Sequence, residues 1–156
     1  MTPAINQLKS KKIIYQLHEY QHVASCSTYG LEAVEKLAVD PARVFKTLVV
    51  QLDSDRLAVA ILPVVQKLSM KLMAKATGVK KVTMADSSKV EKSTGYVLGG
   101  VSPIGQKKSL ITVIDHSASS FATVFVSAGR RGLEIELSPA DLMLLTRGRI
   151  EHLCVE

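Results

Sequence analysis

The chain has 156 residues, of which 47% are hydrophobic and 22% charged, and it carries a formal net charge of +6. A chain of that length folds as one domain and buries roughly two-thirds of its unfolded surface, and its composition excludes disordered, low-complexity and disulfide-scaffold classes. No segment reaches membrane-spanning length and the N-terminal run to Lys11 and Lys12 holds no apolar signal region, so a cytoplasmic protein with no membrane partner is expected.

Along the chain, a helix is expected over 4–10 and a strand over 13–20, where apolar and polar residues alternate. A helix over 31–38 follows Gly30, and Asp40-Pro41 caps one short turn before a β-branched strand from Val44 to Gln51. The polar turn Asp53 to Asp55 and the apolar run Leu57 to Leu62 complete a β-hairpin. Ser69 caps a helix with Met70, Met73 and Ala76 on one face, as core filling, and Gly78 stops it. A strand over 79–84, a helix over 86–93 and strands near 110–115, 121–127 and 133–137 follow. Ser138, Pro139 and Asp141 then open a last helix to about 145.

Helices and strands mix without regular βαβ alternation. The expected fold is α+β, a single domain over 1–156, with a mixed, strongly curved, barrel-like β-sheet flanked by helices. Its central strands 57–62 and 111–114, apolar at almost every position, should be covered on both faces.

Lys46 is the misfit of the sequence. It shares one strand face with Val44, Leu48 and Val50, while Phe45 and Val49 occupy the other, so neither face is a solvent face. Burying an ammonium there costs several kcal/mol unless it is paired or opens onto a polar cleft. Two readings stand: a lysine whose stem lies on apolar surface while its amine reaches water, or an anion contact that holds a phosphate or stabilises charge on a carbonyl oxygen.

The segment from Thr94 to Gly105 carries four glycines in an apolar stretch. It is neither a P-loop nor a dinucleotide fingerprint, and Gly100-Val101-Ser102-Pro103-Ile104-Gly105 misses the nucleophile-elbow spacing by one residue. Gly99-Gly100 permits either an anion nest or an ordinary turn beside Ser102-Pro103. A third segment, Ser127-Ala128-Gly129-Arg130-Arg131-Gly132, precedes Leu133 to Leu137, whose alternation places Glu134 and Glu136 on one face. That face is solvent by default; if the sheet curls over Lys46, a carboxylate could pair with its amine.

The cations suit a polyanionic partner, since each neutralised phosphate releases counterions. Lys9 to Lys12, Lys80-Lys81, Lys107-Lys108 and Arg130-Arg131 serve equally well as solvated pairs. Cys26 and Cys154 match no metal spacing and are expected as reduced thiols. His18, His22, His116 and His152 form no readable triad, and Asp115-His116 reads as a turn. With no protein nucleophile, cofactor or metal site evident, a hydrolase of these parts works by positioning and electrostatics, with water or the substrate as nucleophile.

At Tyr20, Phe45-Lys46-Thr47-Leu48, Val79 to Val82, Met84-Ala85-Asp86, Ser93 to Tyr96, Gly99 to Pro103, Gly105 to Lys108 and Arg131-Gly132-Leu133, the chain resembles the YbaK/EbsC aminoacyl-tRNA deacylases. These are relatives of the editing domain of bacterial prolyl-tRNA synthetases. The resemblance implies hydrolysis of cysteine wrongly esterified to proline tRNA, beside prolyl-tRNA synthetase, with the substrate thiol attacking its own carbonyl. It places Lys46, Gly99, Gly100 and Val101 as catalytic groups and Tyr20, Thr47, Ser102, Pro103, Ser127, Gly129 and Glu134 against the substrate. A monomer or weak homodimer is expected. Ala128 stands where relatives carry glycine, and Glu134 where a shorter side chain is usual; either change resizes the pocket. The rival reading is a module that binds tRNA or a synthetase without catalysis.

Overall fold

In the computed structural model, residues 1–23 and 29–156 are described. In chain order they form α1 (Pro3–Ser10), β1 (Gln16–Glu19), α2 (Tyr29–Leu37), β2 (Phe45–Gln51), β3 (Leu57–Pro63), α3 (Met70–Thr77), β4 (Thr83–Met84), α4 (Ser87–Thr94), β5 (Ile111–Asp115), β6 (Val124–Ser127), β7 (Leu133–Leu137), α5 (Pro139–Thr146) and β8 (Arg149–Glu151). The expected cysteine Cys26 lies outside the described residues, whereas Cys154 is a buried free thiol.

Local chemistry sets most boundaries where the sequence puts them. Ser69 and Ser138 accept hydrogen bonds from the amides of Leu72 and Asp141 at the starts of α3 and α5, and Gly78 ends α3 at φ 74°. Three expected strands are shorter than read. The 13–20 segment pairs only from Gln16, because Lys12 turns at φ 55° and the Ile13 amide still donates to Leu8 O. The 79–84 segment pairs only at its end, since Val79 N–H donates to Ala74 O in the helix stop. A 3-10 turn over His116–Ser120 delays β6 to Val124. Arg149–Glu151, too brief to show periodicity, adds β8.

The strands fall into two sheets, of order β1-β7-β6 and β4-β2-β3-β5-β8, and among the described residues a parallel bridge from Val44 to Phe125 joins them. The five-stranded sheet is mixed, as expected: β2 pairs antiparallel with β3 and β4, while β3–β5 and β5–β8 run parallel. No ladder closes a barrel among the described residues.

Alternation along β3 explains why its whole run is apolar. Val59 and Ile61 point into a core shared with α1 and the three-stranded sheet, and Ala58, Ala60 and Leu62 into one shared with α3 and Leu153. Met73 fills the second core with no exposure. Beside these, β2 has β3 along its full length on one edge. On the other edge it meets β4 only at Val50 and Gln51, and the bridge to Phe125 precedes it at Val44. Residues 45–48 therefore face an open edge, and the candidate site lies there.

Candidate active site

A cavity of about 250 Å³ opens against this edge, lined by Phe45, Lys46, Thr47 and Leu48 of β2, Ser127 and Glu134 of β6 and β7, and Leu98, Gly99 and Val101. Tyr20, Gly30, Val64, Arg130 and Arg131 complete the wall. Consecutive residues of β2 reach it because the cavity sits at the strand edge, where both faces are accessible. The β2 alternation that sends Val49 O to the Ala85 amide turns the peptide groups of Thr47 to this same edge.

Lys46 is half-buried and its Nζ donates to Gln66 O at 2.7 Å. Burial lowers its pKa from the ordinary lysine value, with the nearby Cys154 thiol acting in the opposite sense. Glu134 is the carboxyl of the cavity wall. It is 7% exposed, and burial alone pushes its pKa up to about 8. The sheet thus brings a β7 carboxyl into the cavity with Lys46, yet no ion pair joins the two: the amine is held by the Gln66 carbonyl. The Thr47 hydroxyl is buried without a hydrogen-bond partner.

The two glycine-bearing segments meet at the mouth. Gly100 N–H donates to Val97 O at 3.0 Å, closing a turn in which Gly99 takes φ 89°. A Cβ on Gly100 would lie 3.0 Å from Arg130 Cα, so glycine is what lets the turn rest on the β6–β7 connection. Arg131 fastens it from that side, donating through Nη2 to Leu98 O at 3.3 Å. The Gly100 amide is engaged in the turn and Gly100 does not line the cavity, whereas Gly99 and Val101 do.

Of the residues expected at the site, Lys46, Tyr20, Thr47, Gly99, Val101, Ser127 and Glu134 are brought together. Ser102, Pro103 and Gly129 are not. Ser102 is fully buried, its hydroxyl accepting from the Ile104 amide. Pro103 borders a separate depression beside Gln106 and Lys107. Gly129, at φ 111°, packs where a Cβ would meet Tyr96 Cε1 at 2.6 Å. The sequence reading did not place Leu98, Arg130 and Arg131 in the wall, although the basic pair and the glycine loop were each visible.

A family model described as an aminoacyl-tRNA editing domain matches residues 24–145. The chain belongs to the aminoacyl-tRNA editing domain family. It is 38% identical over 153 residues to a candidate Cys-tRNA(Pro)/Cys-tRNA(Cys) deacylase, EbsC, of Enterococcus faecalis, covering 97% of this chain and 92% of that protein. The uncharacterized protein YwhH of Bacillus subtilis is 30% identical over 111 residues, covering 71% and 70%. Among solved structures, a candidate trans-editing enzyme for prolyl-tRNA synthetase superposes with a TM-score of 0.83 at 19% identity, covering 98% of this chain and 93% of that one; at this identity the likeness is one of fold. No helix among the described residues is long and apolar enough to cross a membrane.

Proposed function

We propose that this editing domain is a trans-editing deacylase that hydrolyses the ester of mischarged Cys-tRNA(Pro). The observation that carries the reading is the cavity itself. Lys46, Glu134 and a glycine turn line one small cavity in a chain of the editing family, and the match to EbsC spans 97% of the chain. Lys46 acts as an electrostatic anchor for the tRNA terminus or the ester carbonyl. Donors at Gly99 and Val101 face the oxyanion, and Tyr20, Thr47, Ser127 and Glu134 shape the amino-acid pocket.

The substrate thiol is the nucleophile. Its sulfur bonds the carbonyl carbon, the ester C–O bond breaks, the thiol proton passes to the departing ribose oxygen, and water then opens the released cysteine thiolactone to complete the hydrolysis. The protein then needs only to position and stabilise. Arg130 and Arg131 at the mouth, with the remaining basic pairs, attract the acceptor end, and prolyl-tRNA synthetase is the natural companion. The domain extends over 1–156, works in the cytoplasm as a monomer or weak homodimer, and uses its two sheets as one curled wall around the pocket.

Incubating the chain with cysteinyl-tRNA(Pro), and with alanyl-tRNA(Pro) in parallel, tests the reading. The cysteinyl ester disappears faster than in buffer, and the alanyl ester, lacking a thiol, persists. Binding without ester loss would make the chain a non-catalytic tRNA module instead.

A further inference from the structure

A second cavity, of about 380 Å³, holds a side-chain cluster that the deacylase reading does not use. The parallel register of β5 and β8 sets Asp115 opposite Glu151, so the strand ends deliver Asp115, His116 and His152 to one place. One ligand atom from each lies within 4.8 Å of the others. We propose that Asp115, His116 and His152 bind one divalent transition ion of the zinc type.

The donor set argues for that class. Two imidazoles and one carboxylate suit zinc, cobalt or nickel better than magnesium or calcium, which take oxygen ligands. Asp115 is buried and rigidly oriented: Oδ1 accepts from the Leu153 amide at 2.9 Å and Oδ2 from the Ser117 amide at 3.2 Å. Each oxygen has a second lone pair; the Cys154 thiol contacts the carboxylate as well and would cede its place to the metal.

His152 presents one ring nitrogen to the cluster and the other to a carboxylate. Its Nδ1 lies 4.0 Å from Asp115 Oδ1, on the side of the cluster, while Nε2 is 3.2 Å from Glu156 Oε1. A carboxylate on the distal ring nitrogen is the outer-shell arrangement that fixes metal-binding histidines. His116 is exposed, and its ring stands at 85° to that of His152 with centroids 5.1 Å apart. Coordination at about 2.1 Å per ligand draws the three donors to roughly 3.3 Å apart, which rotation of the two histidine side chains supplies. Three protein donors leave a fourth position for water. Bound there, the ion ties the C-terminal segment to the turn after β5.

The test is a cobalt titration of the full chain, free of any tag and stripped with chelator, followed by visible absorption. Saturation at one ion per chain, displacement by zinc, and a loss of affinity of roughly tenfold or more in His116→Ala/His152→Ala are expected. Absence of saturable binding, or undiminished binding by the double variant, overturns the site. Should that variant fail to fold, the imidazole nitrogen resonances of the unsubstituted chain decide. Zinc-induced shifts at His116 and His152 support the site, and shifts at His18 or His22 alone overturn it.

Discussion

Glu134 and Glu136 project from the same face of β7, two residues apart, and their surroundings drive their proton affinities in opposite directions. Glu134 is buried in the cavity and its pKa is raised to about 8. Glu136 accepts from the Thr123 hydroxyl, from Arg43 Nη2 at 3.2 Å and lies 2.8 Å from His18 Nε2. The Thr123 hydrogen bond foremost, aided by His18 and Arg43, lowers its pKa. One strand thus carries a neutral acid into the site and an ionised one into a polar clasp between the sheets.

Glu134 makes stability fall as pH rises. The folded chain keeps a proton that the unfolded chain releases near the ordinary carboxyl value of 4.5, so the contribution is fully present below that pH and is lost by about 8. Unfolding free energies measured by denaturant at intervals across this window should decline. In Glu134→Gln, which cannot ionise, that part of the slope should vanish. An unchanged slope would place the buried proton elsewhere.

Glu136 acts with the opposite sign. Its lowered pKa contributes stability that is present above the unfolded carboxyl value and lost as pH falls through the folded one. Glu136→Ala leaves Arg43 and Thr123 without their shared acceptor and should lower the unfolding free energy by about 1–3 kcal/mol at neutral pH. The penalty should shrink in acid, where the native carboxylate is itself protonated. Denaturant midpoints of both proteins at neutral and acid pH check this.

Gly100→Ala probes the seam between the glycine turn and the β6–β7 connection. The new Cβ would sit 3.0 Å from backbone at Arg130, which cannot swing aside as a side-chain tip can. The seam must give by a few tenths of an ångström, which shifts Gly99 and Val101 at the cavity wall. Ester hydrolysis should drop by roughly tenfold or more, as misplaced positioning groups do, while melting shifts by a few degrees. Full activity would mean that the turn does not position the reacting ester.

How much of this was legible beforehand follows from the range of each signal. Helix caps at Ser69 and Ser138 and the β2–β3 hairpin rest on neighbouring residues, and the sequence displays them directly. Lys46 was legible as a misfit because its own strand contradicts it. Its surroundings were legible only as alternatives: alternation makes Glu134 a solvent residue unless the sheet curls over Lys46, and it is the packing of the three-stranded sheet against the open edge of β2 that buries Glu134 in the same cavity wall. Ser102 and Gly129 belong to segments that do reach the site, but a loop's side-chain directions are set by tertiary contacts, here to Ile104 and Tyr96. The cluster of Asp115 with His152 was invisible for the same reason, since a parallel pairing of β5 with β8 brings distant residues together.

The most direct test of the account is Lys46→Met in the cysteinyl-tRNA(Pro) assay, with melting followed alongside. The account predicts that ester loss falls to the buffer rate while the melting temperature stays unchanged or rises, because an apolar side chain replaces a partly desolvated charge. Full deacylation by the variant would contradict it.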